Sequence, residues 1–281
     1  MIDPIEPMFS LAVAPAGPHA AAPGTLRVLV TRPIAQALPW VDALRDKGFD
    51  AHAFPLIDIE PVADPQPVRD MWRRLYGMTL VMFVSANAAQ HFFAEQPDDV
   101  TWPVSALAAS TGPGTTAALQ RAGLPAAMIV EPLPGMPYES ESLWARLRAR
   151  SWSGSRVLIV RGEDGRDWLA DQFHAAGADV SVVAAYRRVA PSPNAQARTL
   201  LTEAVLAPER TCWFFTSSEA VGHLLELAPG ADWSRGRAIA SHLRIAQAAR
   251  QAGFGDVHLV DPQPASIVEA IRQLQPTARR V

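Results

Sequence analysis

The residues best suited to chemistry in this 281-residue chain lie where strand-like runs change into helices, and they occur twice. The run from Val81 reads VMFVSANAA and the run from Trp213 reads WFFTSSEAV, so Ser85 and Ser217 each close a strand and open a helix. A serine in this place caps the helix, and the free backbone N–H groups of a helix N-terminus bind anions. Capping alone is the alternative interpretation, but the duplication favours a pair of anion-binding junctions.

A second junction follows in each copy. Residues 111–115 read TGPGT, and the two glycines would let a ligand approach the backbone closely. The turn has neither the lysine of a Walker A loop nor the third glycine of GxGxxG. We therefore expect a nest of the size of a carboxylate. The corresponding residues 241–244 read SHLR and contain no glycine.

A third kind of junction carries arginine. Arg32 ends the first strand-like run, and Arg161 ends the matching run and opens the turn RGEDGR. A guanidinium presents a planar fork of donors that fits a carboxylate. A solvated turn in which Arg166 pairs with Glu163 or Asp167 is the alternative for the second of these junctions.

Other chemistries find little support. The histidines are scattered without metal-ligand spacing, and neither GxSxG nor HExxH occurs. Cys212 is the one cysteine, which excludes an intramolecular disulfide and suggests a packing residue in a reducing compartment. The net charge of −3 gives no global attraction to nucleic acid, and no apolar run reaches the roughly 18 residues of a membrane span. The pattern favours binding and shaping a substrate without a side-chain nucleophile or a metal.

The elements that would position these junctions alternate between strand and helix. Each copy predicts a strand, a helix ended by glycine and another strand, over Val28–Thr31, Ala37–Lys47 and Ala51–Ile59, and over Val157–Val160, Arg166–Ala176 and Val180–Tyr186. Such alternation indicates parallel βαβ units, with ligands at the carboxyl ends of the strands. The sequence thus predicts an α/β protein of two similar domains with a cleft between them. The repeat by itself would divide the chain near Ser153.

The residues before this pattern differ from the rest. Residues 1–25 are rich in Pro and Ala and contain neither Lys nor Arg, so they predict a disordered tail. A secretory signal would begin with basic residues, and we therefore expect a cytoplasmic protein.

The ordered motifs together resemble one enzyme family. RVLVTRP, VMFVSANAA, TGPGTTAAL, ESESLWARL, RVLIVRGEDGRDWLADQF, the YRR at Tyr186, FFTSSEAV and SHLRIAQAARQAGF are similar to segments of uroporphyrinogen-III synthases. The resemblance covers approximately residues 26–274, and it rests on the order and spacing of the motifs and on the RGEDGR block.

The resemblance implies two α/β domains, each a parallel sheet flanked by helices, joined by a two-stranded linker with a cleft between them. In this family the chain begins in one domain, crosses to the other and returns. Domain 1 would then contain residues 26–56 and 189–275, and domain 2 would contain residues 59–185. We adopt this interleaved arrangement over a division near Ser153.

The resemblance also implies an enzyme of tetrapyrrole and heme biosynthesis, a lyase without a cofactor. Its reaction closes linear hydroxymethylbilane to uroporphyrinogen III, with inversion of ring D and loss of water. Without the enzyme the substrate closes to the symmetrical I isomer. Catalysis would therefore come chiefly from proximity and orientation, and domain closure would exclude water.

The family pattern assigns roles to particular positions of this chain. Tyr186 would assist departure of the hydroxyl as an acid, although a tyrosine packed at the hinge between domains is the alternative. The implied substrate-binding residues are Thr31, Arg32, Ser85, Ala86, Thr115, Arg161, Ser217, Ser218 and Arg244.

The expected partners follow from the same resemblance. The substrate would be the small molecule hydroxymethylbilane, with a possible transient contact to the upstream deaminase. We expect a monomer that contacts neither nucleic acid nor membrane. The main alternative is a non-catalytic two-domain binder of an anionic, tetrapyrrole-like ligand. A two-lobed solute-binding protein is less favoured because it would need an export signal.

Overall fold

The computed structural model describes residues 26–133, 135–136 and 140–275. The chain divides into two compact units, which among these residues are 26–56 with 192–275, and 57–191. The tail expected over residues 1–25 lies outside the described residues. Within the described part of the chain, no helix is both long enough and apolar enough to cross a membrane.

Short strands form the centre of both units. In chain order they are β1 (Arg27–Val30), β2 (Asp50–Ala53), β3 (Asp58–Pro61), β4 (Leu80–Phe83), β5 (Leu107–Ser110), β6 (Ile129–Val130), β7 (Arg156–Gly162), β8 (Asp179–Val189), β9 (Thr211–Phe215), β10 (Arg237–Ala240) and β11 (Asp256–Leu259).

Helices connect most of these strands. In chain order they are α1 (Ile34–Arg45), α2 (Gln66–Arg74), α3 (Ala86–Ala94), α4 (Pro113–Arg121), α5 (Ser140–Leu147), α6 (Trp168–Ala175), α7 (Ala195–Leu206), α8 (Ser218–Leu227), α9 (Leu243–Gln251) and α10 (Pro264–Leu274). The α/β class predicted from the sequence is confirmed, with one sheet in each unit.

The first unit contains a parallel sheet with the order β11-β10-β9-β1-β2. Its central strands are apolar on both faces, as is typical of a parallel sheet covered by helices on each side. One face packs on α1 and α10 through residues such as Val28, Phe214 and Ile271. Aromatic contacts cover the other face, where Trp213 meets Phe54 edge to face with ring centroids 5.2 Å apart.

The second unit contains a sheet with the order β3-β8-β7-β4-β5-β6. Its strands are parallel except for β3, which pairs antiparallel with the end of β8. The strand β7 thus lies between β8 and β4 in the middle of this sheet. A division of the chain near Ser153 would separate β7 from β4, and the structure keeps them together.

The two sheets contain the same core of five strands in the same order. The order β2-β1-β9-β10-β11 in the first unit corresponds to β8-β7-β4-β5-β6 in the second. The strand pair made by β1 and β2 precedes the rest of its unit in the chain, whereas the pair made by β7 and β8 follows it. Each copy of the sequence repeat therefore begins with a strand pair of one unit and continues with strands of the other, and the first unit is discontinuous in the chain.

The structure differs from the sequence prediction over Ala51–Ile59, which forms two strands in two sheets. The strand β2 ends at Ala53, and β3 begins only at Asp58 in the second unit. Pro55 lies between them and cannot donate to a ladder because it has no N–H group. The neighbouring Phe54 and Leu56 still donate to the carbonyls of Val30 and Thr31, at 2.9 and 3.2 Å.

Candidate active site

In the first unit, three adjacent parallel strands end at one edge of the sheet. Thr31 and Arg32 follow β1, Ser217 and Ser218 follow β9, and Arg244 lies in the first turn of α9 after β10. Pairing of Val30 with Phe214, and of Ala240 with Phe215, aligns the three carboxyl ends. This is the edge where ligands bind in open parallel α/β sheets.

The second unit places the corresponding residues in the same way. Arg161 lies near the end of β7, Ser85 and Ala86 follow β4, and Thr115 lies in the first turn of α4 after β5. The register pairs Val160 with Phe83 and Phe83 with Ser110, so these strand ends are also aligned. Each unit therefore brings its own set of sequence-predicted site residues to one sheet edge.

Serine caps the helix that follows the central strand in both units. Ser85 Oγ accepts the backbone N–H of Ala88 at 3.1 Å, and Ser217 Oγ accepts that of Glu219 at 3.2 Å. Both serines are half-buried. A cap satisfies one of the free N–H groups at the start of the helix, and the remaining ones are suited to bind an anion.

Thr31 and Arg32, the two residues that follow β1, have different surroundings. The side chain of Thr31 is buried, and its hydroxyl donates to the carbonyl of Phe214 at 2.8 Å. Arg32 is half-buried over the Trp40 ring, and its Nε donates to Thr216 Oγ1 at 3.3 Å. Burial lowers the pKa of Arg32, and the described residues provide no carboxylate partner for it. Arg32 thus offers a partly desolvated cation to an anionic ligand.

Arg161 is held by its own turn. Its Nη1 donates to the carbonyl of Gly165 at 2.7 Å and to Asp167 Oδ1 at 2.6 Å, and its side chain is only 16% exposed. Arg166 pairs instead with Glu141 at 3.2 Å. Arg161 is therefore bound by Gly165 within the RGEDGR turn and by Asp167 directly after it, and it would have to exchange or share these partners to bind a ligand.

The turn over residues 111–115 is held by a hydroxyl–carboxylate network. Ser110 is fully buried, and its Oγ bonds Thr116 Oγ1 at 2.7 Å and accepts the N–H of Gly112 at 3.2 Å. Thr116 in turn donates to Glu131 Oε1 at 2.5 Å. The neighbouring Thr115 is buried, and the described residues give its hydroxyl no hydrogen-bond partner.

The corresponding junction in the first unit, residues 241–244, is more exposed. His242 caps α9 by accepting the backbone N–H of Arg244 at 3.2 Å. The Arg244 side chain is exposed and has no hydrogen-bond or ion-pair partner among the described residues.

Tyr186 lies against the end of β7. A bulge between Arg161 and Gly162 pairs Gly162 with Tyr186, and the phenol ring, only 2% exposed, covers the glycine. Its Oη lies 3.2 Å from Ser85 Oγ. The His91 ring lies beside it with centroids 5.9 Å apart, and burial lowers the pKa of His91, which keeps the imidazole neutral at neutral pH.

The other reactive groups among the described residues are not brought together. The described residues contain no group of three or more His, Cys, Asp or Glu side chains placed to hold a metal. Cys212 is fully buried in β9, and burial raises its pKa to about 12. The thiol is therefore protonated at neutral pH and packs in the core.

The sequence reasoning missed Ser110, Glu131, His91 and Gly162. Glu131 is 15 residues from the threonine it binds, and no local pattern links them. His91 could have been suspected, because it follows Ser85 on the same short helix. Gly162 stood in the quoted RGEDGR block, but only the pairing with β8 reveals that its missing side chain makes room for a ring.

Comparisons with known proteins identify one family. The family model described as uroporphyrinogen-III synthase HemD matches residues 39–269. The uroporphyrinogen-III synthase of Salmonella typhimurium is 29% identical over 245 residues, covering 84% of this chain and 95% of that protein. The Escherichia coli protein of the same name is 29% identical over 244 residues, with the same coverage.

Solved structures show a related fold at low identity. The mutant uroporphyrinogen III synthase of Thermus thermophilus has a TM-score of 0.58 at 19% identity, covering 89% of this chain and 98% of that one. The uroporphyrinogen-III synthetase of Helicobacter pylori has a TM-score of 0.55 at 14% identity, covering 89% and 99%. The family expected from the motifs is confirmed. With two units of one strand order, matching sheet edges and a family match over most of its length, this chain belongs to the uroporphyrinogen-III synthase family.

Proposed function

We propose that this chain converts linear hydroxymethylbilane to uroporphyrinogen III, inverting ring D and releasing water. The observation that carries the proposal is the alignment of anion-binding donors at the carboxyl edge of each sheet, in a member of this family. The substrate carries eight carboxylates, and its closure needs a defined conformation more than it needs a nucleophile. Backbone N–H groups and arginines at fixed strand ends provide that kind of restraint.

The donors divide into two groups. We propose that Arg32, Arg244 and the helix starts at Ser217 and Ser218 bind acetate and propionate groups in the first unit. In the second unit the same role falls to the helix start at Ser85 and Ala86, with Thr115 and Arg161. Thr31 has a hydroxyl already donated to Phe214, so we propose that it shapes the junction and contacts substrate little.

The chemistry requires one proton at the departing hydroxyl. The C–O bond of the terminal hydroxymethyl group breaks, and the hydroxyl leaves as water with a proton that we assign to Tyr186. The resulting azafulvene is attacked by the substituted carbon of ring D, and the spiro intermediate reopens with the ring inverted. We propose that the donors hold ring D so that this attack precedes closure to the I isomer.

A coupled assay tests the proposal. The upstream deaminase generates hydroxymethylbilane in place, the products are oxidised to porphyrins, and the I and III isomers are separated. We expect the III isomer to predominate only when this protein is present. If the protein binds the product but only the I isomer forms, the chain is a non-catalytic binder.

We also propose that the protein acts in the cytoplasm as a monomer, free of nucleic acid and membrane, and receives substrate from the deaminase by at most a transient contact. The net charge of −3 supports the absence of a nucleic-acid partner. A sedimentation mass near 30.3 kDa is expected, and a mass near twice that value would contradict the monomer.

A further inference from the structure

Ser85 and Tyr186 form a hydroxyl pair whose two members differ in exposure. Tyr186 is 2% exposed, whereas Ser85 is half-buried at the start of α3. Their oxygens are 3.2 Å apart, and either one could donate to the other. The direction of this hydrogen bond decides which hydroxyl can give a proton to a ligand.

The other contacts of the pair select that direction. A serine hydroxyl has one proton and two acceptor positions, and the Ala88 N–H already fills one acceptor position of Ser85. If Ser85 donated to Tyr186, the phenol proton would have no acceptor, because no other described residue bonds Tyr186 Oη. A buried donor without an acceptor is unfavourable. The phenol therefore donates to Ser85, which fills the second acceptor position and leaves the serine proton for an outside group.

We propose that Ser85 is the residue that touches the departing hydroxyl of the substrate, and that Tyr186 supplies the proton from behind it. The inference rests on the proposed function and gives the proton a defined path from Tyr186 through Ser85 to the substrate. The two hydroxyls would act in series, with Ser85 at the start of α3 between Tyr186 and the substrate.

The proton transfers balance. As the C–O bond of the hydroxymethyl group breaks, the leaving oxygen takes the Ser85 proton and departs as water. Ser85 takes the phenol proton at the same time and remains neutral, so Tyr186 becomes a phenolate. The proton lost when the pyrrole product regains aromaticity returns to the phenolate through Ser85. The half-buried start of α3 favours negative charge developing at this pair.

The corresponding serine of the first unit lacks this arrangement. Ser217 caps α8 as Ser85 caps α3, but within the described residues no tyrosine bonds it. Among the described residues, only the second unit thus provides a two-hydroxyl relay, although both units provide a helix start suited to an anion.

A double-mutant comparison tests the relay in the deaminase-coupled assay. We expect Ser85→Ala and Tyr186→Phe each to lower the rate of III-isomer formation by about 100-fold, within the range for general acid catalysis. The double variant should be no slower than either single one, because both break the same path. Ser85→Thr should restore most of the rate. Asn194→Ala, which removes an equivalent cap from α7, should leave the rate unchanged.

A spectroscopic readout separates the relay from the proposed function. The chain has three tyrosines, so Tyr76→Phe with Tyr138→Phe leaves Tyr186 as the single source of a ¹³Cζ tyrosine resonance. In this background Ser85→Ala should shift the resonance, and Ser85→Thr should return it. An unmoved resonance would overturn the relay even in an active enzyme. So would full activity of Ser85→Ala, or losses that multiply in the double variant. If the wild type forms only the I isomer, the proposed function fails, and the resonance still tests the hydrogen bond.

Discussion

The ring of Tyr186 occupies the space that a side chain at Gly162 would need. A Cβ at Gly162 would lie 2.9 Å from Tyr186 Cζ, closer than such carbons approach in proteins, and 3.0 Å from Cε2. The β-bulge beside this glycine brings the two residues into register, and bulges commonly redirect a side chain next to a functional site. The position of the phenol thus depends on a hydrogen atom at residue 162.

Gly162→Ala should displace the phenol and lower the rate of III-isomer formation. We expect overpacking to cost about 1–3 kcal/mol of unfolding free energy, and a misplaced proton donor to lower III-isomer formation by up to about 100-fold. The coupled assay and chemical denaturation measure the two effects. Gly222→Ala is the matched control, because no atom lies within 4 Å of its added Cβ. It lies within α8 and should gain about 0.5–1 kcal/mol without changing the rate.

Arg32→Gln should weaken substrate binding. The variant removes a partly desolvated cation that has no carboxylate partner in the described structure, so a bound carboxylate would lose a charge-assisted hydrogen bond. We expect KM to rise by at least about 10-fold, equivalent to about 1.4 kcal/mol, with a smaller change in kcat. Arg166→Gln is the control, since Arg166 is 65% exposed and paired with Glu141. An equal rise in KM for both variants would indicate a general charge effect.

Thr31→Val should affect stability more than activity. Removal of the hydroxyl deletes its bond to the Phe214 carbonyl, which still accepts the backbone N–H of Thr31 at 3.2 Å. We expect a loss of about 1 kcal/mol in unfolding free energy and a nearly unchanged rate of III-isomer formation. A variant of full stability and low activity would instead make the Thr31 hydroxyl a substrate contact.

Asp50→Asn should destabilise the first unit in a pH-dependent way. Burial by itself would raise the pKa of Asp50 and is the largest single influence, but hydrogen bonds and charge from His52 and Arg27 together outweigh it and lower the pKa. A carboxyl whose folded pKa is lowered stabilises the protein above its unfolded pKa, and that contribution disappears as pH falls through the folded value. We expect a cost of about 1–2 kcal/mol at pH 7 that shrinks below about pH 4.

A second copy of the same constellation provides the comparison for this experiment. Asp256 lies in the edge strand β11, and Asp50 lies in the opposite edge strand β2 of the same sheet. Asp256 bonds His258 at 2.7 Å and lies 3.9 Å from Arg237. Its side chain is 47% exposed, against 12% for Asp50. Asp256→Asn should therefore cost less than about 1 kcal/mol, as exposed ion pairs usually do. Equal losses for the two variants would show that burial does not govern the contribution of Asp50.

Local pattern was sufficient to predict many of the elements and the junctions, although it joined β2 and β3 into one strand. Apolar runs ended by serine predicted β4 and β9 with the capped helices that follow, because capping depends on residues only a few positions apart. The ends of α1 and α6 were also predictable from the local sequence. Gly48 and Gly177 follow these helices with a positive φ, at 83° and 85°, which favours glycine. The family followed from the order of these motifs along the chain.

Long-range pairing decided the rest. The antiparallel pairing of β3 with the end of β8, the bond from Thr116 to Glu131 and the covering of Gly162 by Tyr186 join residues that no periodicity relates. The sequence named both Ser85 and Tyr186, 101 positions apart, but assigned one to substrate binding and the other to proton donation. Only the packing of β8 beside β7 brings their hydroxyls together, because the register of paired strands is set by the whole sheet.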